Sequence, residues 1–87
     1  MATVEIYTRE HCGYCTRAKE VLDSQGYHYQ EIHVTNAAQK AEMIERSGGR
    51  TFPQVLIDGR AVGGCTELMA LDQSGELKKL LSKEGES

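Results

Sequence analysis

The chain has 87 residues, enough for one domain with a core near the small end of what folds unaided. Its net charge of −3, with both signs interspersed, argues against nucleic acid as a main partner. Three cysteines, two of them close in sequence, exclude a framework of structural disulfides; with no export signal and no stretch long enough to span a membrane, a cytoplasmic protein without a membrane partner is expected.

Thr3 to Tyr7 reads as a strand of β-branched and aromatic residues with Val4 and Ile6 on one face. His11-Cys12-Gly13-Tyr14-Cys15 follows at once, and a helical pattern runs from about Tyr14 to Gln25 with Ala18, Val21 and Leu22 as its apolar stripe. Gly26 is placed to end that helix in the left-handed conformation. A second strand is expected over Tyr29 to Val34. Thr35 or Asn36 then caps a helix of about Ala37 to Arg46, with Ala37, Ala41 and Ile44 inward. Ser47-Gly48-Gly49-Arg50 reads as a flexible connection. Gln54 to Ile57 is a short buried strand, Asp58-Gly59 a hairpin signal, and Arg60 to Val62 the antiparallel return.

Gly63-Gly64 breaks the strand, and a last helical region spans about Thr66 to Leu81 with a break near Ser74-Gly75. Its apolar face is Leu68, Leu71, Leu77, Leu80 and Leu81. The expected architecture is α/β, in the order β-α-β-α-β-β-α. A parallel crossover joins the first two strands, the hairpin is antiparallel, and helices cover both faces of a four-stranded mixed sheet. Residues 1–83 form the single domain and 84–87 a polar tail.

The Cys-x-x-Cys at a strand–helix junction is where chemistry is expected. The first thiol meets backbone N–H groups that lack intrahelical partners, and the helix dipole favours an anion there. Cys12 is thus the candidate nucleophile, since a helix N-terminus favours the reactive thiolate. Cys15 lies about one helical turn further on, close enough to close a disulfide ring. Taken alone, the pair could equally be half a zinc site or two packed thiols. Arg9, three residues upstream, adds a positive charge. His11 reads as an exposed neighbour, and His28 and His33 as structural or surface groups.

Three motifs now stand in order: Cys12-Gly13-Tyr14-Cys15, Thr51-Phe52-Pro53, and Gly63-Gly64-Cys65-Thr66-Glu67. Together they resemble those of a dithiol glutaredoxin of the small bacterial type, over nearly the whole chain. The resemblance implies a thioredoxin-like fold and a glutathione-dependent thiol–disulfide oxidoreductase, with Cys15 as the resolving thiol. It implies that Pro53 is cis and lies against the Cys-x-x-Cys, leaving the backbone of Phe52 to pair with an extended thiol substrate. It also implies a glutathione groove. Arg9 meets a carboxylate of glutathione there, Lys40 lies near the glycyl carboxylate, and Tyr14 borders the groove. The backbone near Gly64 approaches closely, and the amides of Cys65 and Thr66 receive the γ-glutamyl carboxylate. The Thr66 hydroxyl would cap the last helix and bond that carboxylate, and Glu67 would face the ligand amine. The chain departs from the family pattern at Arg9 (usually Lys), Phe52 (usually Val) and Thr66-Glu67 (often Asp-Asp).

The implied partners are glutathione and disulfide-containing or glutathionylated proteins, and the expected state is a monomer. One alternative is a homodimer bridged by a [2Fe–2S] cluster, with Cys12 of each subunit as a metal ligand and glutathione completing the set. Gly13, where relatives often carry Pro, keeps that alternative open. Another is a glutaredoxin-like protein reduced by thioredoxin reductase, against which Arg9, Lys40 and Thr66 argue. A zinc module would have to complete its ligands from Cys65 and scattered histidines. Cys65 itself reads either as a small, partly buried side chain beside the groove or as a regulatory thiol.

Overall fold

The computed structural model describes residues 3–86, and their side chains as far as residue 81. The elements are β1 (Val4–Thr8), α1 (Gly13–Ser24), β2 (Gln30–His33), α2 (Ala37–Ser47), β3 (Gln54–Ile57), β4 (Arg60–Gly63), α3 (Cys65–Ser74) and α4 (Glu76–Glu86). They form one four-stranded sheet in the order β2-β1-β3-β4. The first pair is parallel, as a right-handed helical crossover requires, and the other two are antiparallel. Asp58 and Gly59 both take positive φ (53° and 80°), the backbone that a two-residue hairpin needs.

The sheet separates two apolar layers. On one face Val4, Ile6, Val55 and Ile57 pack against Ala18 and Leu22 of α1, Leu68 of α3 and Leu77 of α4. On the other, Tyr7 and Leu56 pack against Met43 of α2. Every residue of β3 is buried, which is why that strand reads as a continuous apolar run with Gln54 at its start. No helix among the described residues is long and apolar enough to cross a membrane.

Three expectations are corrected. Ala37 and Ala41 are exposed; the inward stripe of α2 is Gln39, Met43 and Ser47, with Ile44 beside it. Alanine fits either face of a helix, whereas Met43 carries far more apolar area, so its burial sets the rotation. The stretch 47–50 is held in place. Ser47 Oγ donates to the Met43 carbonyl at 2.6 Å and accepts from the Gly49 N–H at 3.1 Å, and a Cβ on Gly49 would run into the Gln54 amide. Lastly, the backbone of α4 continues to Glu86, through most of the stretch read as a polar tail, because Ser82-Lys83-Glu84 contains no helix-stopping residue. Ser87 lies outside the described residues.

Candidate active site

β1 ends at Thr8, and within five residues the chain must turn back as a helix over the sheet. His11 makes that turn in the left-handed region, at φ 55°. Cys12 then takes an extended backbone (φ −110°, ψ 101°) as the N-cap of α1. Its carbonyl accepts the first helical bond, from the Thr16 N–H at 3.2 Å, and its Sγ accepts the Cys15 N–H at 3.2 Å. A cysteine thus occupies the place where Ser, Thr, Asp or Asn usually cap, and the sulfur receives a backbone donor aimed along the helix dipole.

Cys15 is different. It faces the core at 2% exposure, and burial first, then the neighbouring Cys12 sulfur, push its thiol up to about 12. Both cysteines are free thiols in this structure, as is Cys65. One motif therefore holds a half-buried sulfur at a helix N-cap and a buried sulfur kept as a thiol.

Two concavities run beside the motif and share Tyr14, Thr51 and Phe52. The larger, about 540 Å³, is completed by Arg9, Lys40 and Arg50. The Arg9 guanidinium lies over the Phe52 ring, 5.6 Å from its centroid, so the aromatic side chain at this position orients the cation beside the motif. The smaller, about 150 Å³, is completed by Pro53, Gly64, Cys65, Thr66 and Glu67. Tyr14, 63% exposed, stands at their junction. The Phe52–Pro53 peptide bond is cis.

The Thr51-Phe52-Pro53 corner is fixed from beneath. Gln54 is buried, and its Nε2 donates to the Thr51 carbonyl at 2.9 Å and to the Thr51 Oγ1 at 3.2 Å. Gly64 packs against the same corner: a Cβ there would sit 3.2 Å from the Pro53 carbonyl oxygen. Gly64, not Thr66, is the N-cap of α3, and the first helical bond runs from the Leu68 N–H to the Gly64 carbonyl at 3.0 Å. The amides of Cys65 and Thr66 come before that first bond. The Glu67 carboxylate accepts the Gly64 N–H at 2.8 Å.

The candidate site residues thus gather around the two concavities: Arg9 and Lys40 line the larger, Pro53, Gly64, Cys65, Thr66 and Glu67 the smaller, Tyr14 and Phe52 both, and Cys12 and Cys15 stand at the start of α1. Sequence reasoning missed Arg50, which adds a third cation to the larger concavity; its signal was a basic residue directly before the Thr-Phe-Pro motif. Arg17 and Met69 were missed as well. With Tyr14, Cys65 and Thr66 they line a third hollow of about 360 Å³ between α1 and α3. Cys65 is 5% exposed, burial raises its pKa, and its Sγ lies 3.7 Å from Met69 Sδ. His11 is exposed and lines a separate hollow with Arg9, Glu10, Val34 and Thr35. Among the described residues, no three His, Cys, Asp or Glu side chains gather to hold a metal ion.

Comparison with known proteins gives the family. The Glutaredoxin family profile matches residues 4–62. The chain is 54% identical over 82 residues to Glutaredoxin 3 of Escherichia coli (strain K12), covering 93% of this chain and 99% of that protein. It is 48% identical over 82 residues to Glutaredoxin 1 of Rickettsia typhi, covering 91% of this chain and 79% of that one. The solution structure of glutaredoxin from Brucella melitensis superposes with a TM-score of 0.82 at 48% identity, covering 93% of this chain and 89% of that one. The crystal structure of a buckwheat glutaredoxin–glutathione complex does so with 0.85 at 32% identity, covering 97% and 80%. With its thioredoxin fold and its Cys-x-x-Cys at the head of α1, the chain belongs to the glutaredoxin family of thiol–disulfide oxidoreductases.

Proposed function

We propose that the chain uses glutathione as its reductant, working as a monomer on protein disulfides and on glutathione mixed disulfides. The observation that carries this reading is the two-ended groove. One end gathers Arg9, Lys40 and Arg50, the other offers the first amides of α3, and the Cys12 helix start stands beside it. Glutathione is a short peptide with a carboxylate at each end and a thiol between them, and each end of the groove suits one carboxylate. A neighbouring fold carries the same ligand, in the buckwheat complex.

The chemistry follows from the unequal thiols. The Cys12 thiolate attacks the glutathione sulfur of a mixed disulfide; a Cys12–glutathione disulfide forms and the client thiolate leaves. A second glutathione thiolate then attacks the bound glutathione sulfur, releasing oxidised glutathione and restoring Cys12. With a protein disulfide, Cys12 instead forms a mixed disulfide with the client. Cys15 gives up its proton and attacks the Cys12 sulfur, so that a Cys12–Cys15 disulfide forms and the reduced client leaves; two glutathiones then reduce that disulfide in successive exchanges, leaving as oxidised glutathione. Cys15 needs ionise only in this second route. The test is glutathione-coupled reduction of a mixed disulfide by wild type, Cys12→Ser and Cys15→Ser. Cys12→Ser is expected to abolish turnover and Cys15→Ser to keep a substantial part; equal activity in all three refutes the roles.

A second reading, the cluster-bridged homodimer, has one observation in its favour. Gly13 is exposed, a Cβ there would meet nothing within 4 Å, and Cys12 is partly open, so this surface has room for a second copy. Cys12 would be the ligand from each chain, with glutathione in the groove supplying the remaining sulfur. Anaerobic addition of iron, sulfide and glutathione, followed by the visible spectrum and the mass in solution, decides it: a colourless monomer excludes this reading.

A further inference from the structure

We infer that Glu67 is a positioning residue, which holds the Gly63–Gly64 turn so that the amides at the start of α3 stay open to a ligand. This rests on the glutathione reading above and assigns Glu67 a different task from pairing with the ligand's amino group. One of its carboxylate oxygens is already engaged: Oε1 accepts the Gly64 N–H at 2.8 Å. The rest of its side chain is folded into the turn, since a Cβ on Gly63 would sit 2.8 Å from Glu67 Cγ. Glu67 is the third residue of α3, the place from which a glutamate or glutamine reaches back to the N-cap N–H.

The other half of that arrangement is missing, with a consequence for the groove. A Ser, Asp or Asn at the N-cap would aim its own oxygen at the first helical amides. Gly64 has no side chain to do so, and the close Pro53 carbonyl leaves little room for one. No side chain therefore caps the amides, while the Glu67 carboxylate anchors the turn. One residue leaves the cradle empty and the other fixes its shape.

The test compares Glu67→Ala and Glu67→Gln, using the mixed disulfide of glutathione with 2-mercaptoethanol and its counterpart lacking the glutathione α-amino group. Glutamine keeps an oxygen that can accept the Gly64 N–H but loses the charge. Glu67→Ala is expected to raise KM by about three- to tenfold with a smaller change in kcat, as loss of one capping bond implies. Glu67→Gln should recover most of that loss, and the Ala defect should persist with the des-amino substrate. If Gln loses as much as Ala, and both defects vanish with the des-amino substrate, Glu67 is the ammonium's counter-ion and the inference fails. Hydrogen exchange at the Gly64 amide, followed by NMR without glutathione, reads the turn directly. Exchange should quicken in Glu67→Ala and return toward wild type in Glu67→Gln; equal rates in all three overturn the inference. Should wild type prove inactive with glutathione substrates, the glutathione reading fails, and the exchange rates still decide the role of Glu67.

Discussion

Cys12 and Cys15 are the same residue type one helical turn apart, and their environments make them different reagents. Cys12 ends an extended backbone where the Cys15 N–H points at its sulfur; Cys15 sits against the core at 2% exposure. Nucleophilicity toward an alkylating agent follows thiolate content and access together. At neutral pH, iodoacetamide in slight excess should therefore modify Cys12 well before Cys15 or Cys65, both buried and both pushed up by burial. Peptide mapping against time checks this. If Cys65 reacts as fast as Cys12, it is a second open thiol beside the groove; simultaneous labelling of Cys12 and Cys15 removes the basis for their separate roles. In the sequence the two cysteines are symmetrical apart from their order. The N-cap position of the first was legible from the strand-to-helix change, whereas burial of the second depends on how α1 lies on the sheet.

At the scale of elements, β3 was legible residue for residue, because a short apolar run closed by Asp58-Gly59 has few other solutions. α2 was legible in extent but not in rotation. Met43 is fully buried between Tyr7 and Leu56, while Ala37 and Ala41 face out. Met43→Ala should thus cost about 2–5 kcal/mol of stability in urea unfolding, whereas Ala41→Gln should change it by less than about 0.5 kcal/mol. The reverse order would mean that α2 is turned by about half its circumference, since Ala41 and Met43 lie two residues, roughly 200°, apart. The same limit hid the role of Glu67. Reading the last helix as starting at Thr66 makes Glu67 its second residue, and only the observed start at Cys65 places it third, where it reaches the Gly64 N–H. Gln54 was hidden for another reason: a buried amide in a strand declares nothing until the loop it holds is known.

At the scale of the molecule, the groups that couple folding to protons pull toward the same neutral range. Arg46 clasps Glu5 with bonds of 2.7 and 3.0 Å across α2 and β1, and its hydrogen bonds hold the Glu5 carboxyl below its usual 4.5. The Thr8 hydroxyl, then Lys19, do the same for Glu31. For a carboxyl lowered by folding, the unfolded chain binds more protons at acid pH. Stability is therefore full above about 4.5 and falls as pH drops below it. Burial raises Cys15 from 9.0 to about 12 and raises Tyr7 above 10.0. For these groups the unfolded chain releases protons first, so stability is full below about pH 9 and falls as pH rises beyond it. The urea midpoint should accordingly be flat between about pH 5 and 9 and decline on both sides. Each limb has a residue that sets part of its slope. Glu5→Gln should make the acid limb shallower without altering the alkaline one, and Cys15→Ala should do the opposite, each judged by slope because each variant also changes the level. An unchanged acid limb in Glu5→Gln would place the acid sensitivity in Glu31 or elsewhere and reduce the Arg46 clasp to a surface contact. An unchanged alkaline limb in Cys15→Ala would mean that the Cys15 thiol ionises as readily folded as unfolded, and the contrast between the two cysteines would lose its physical cause.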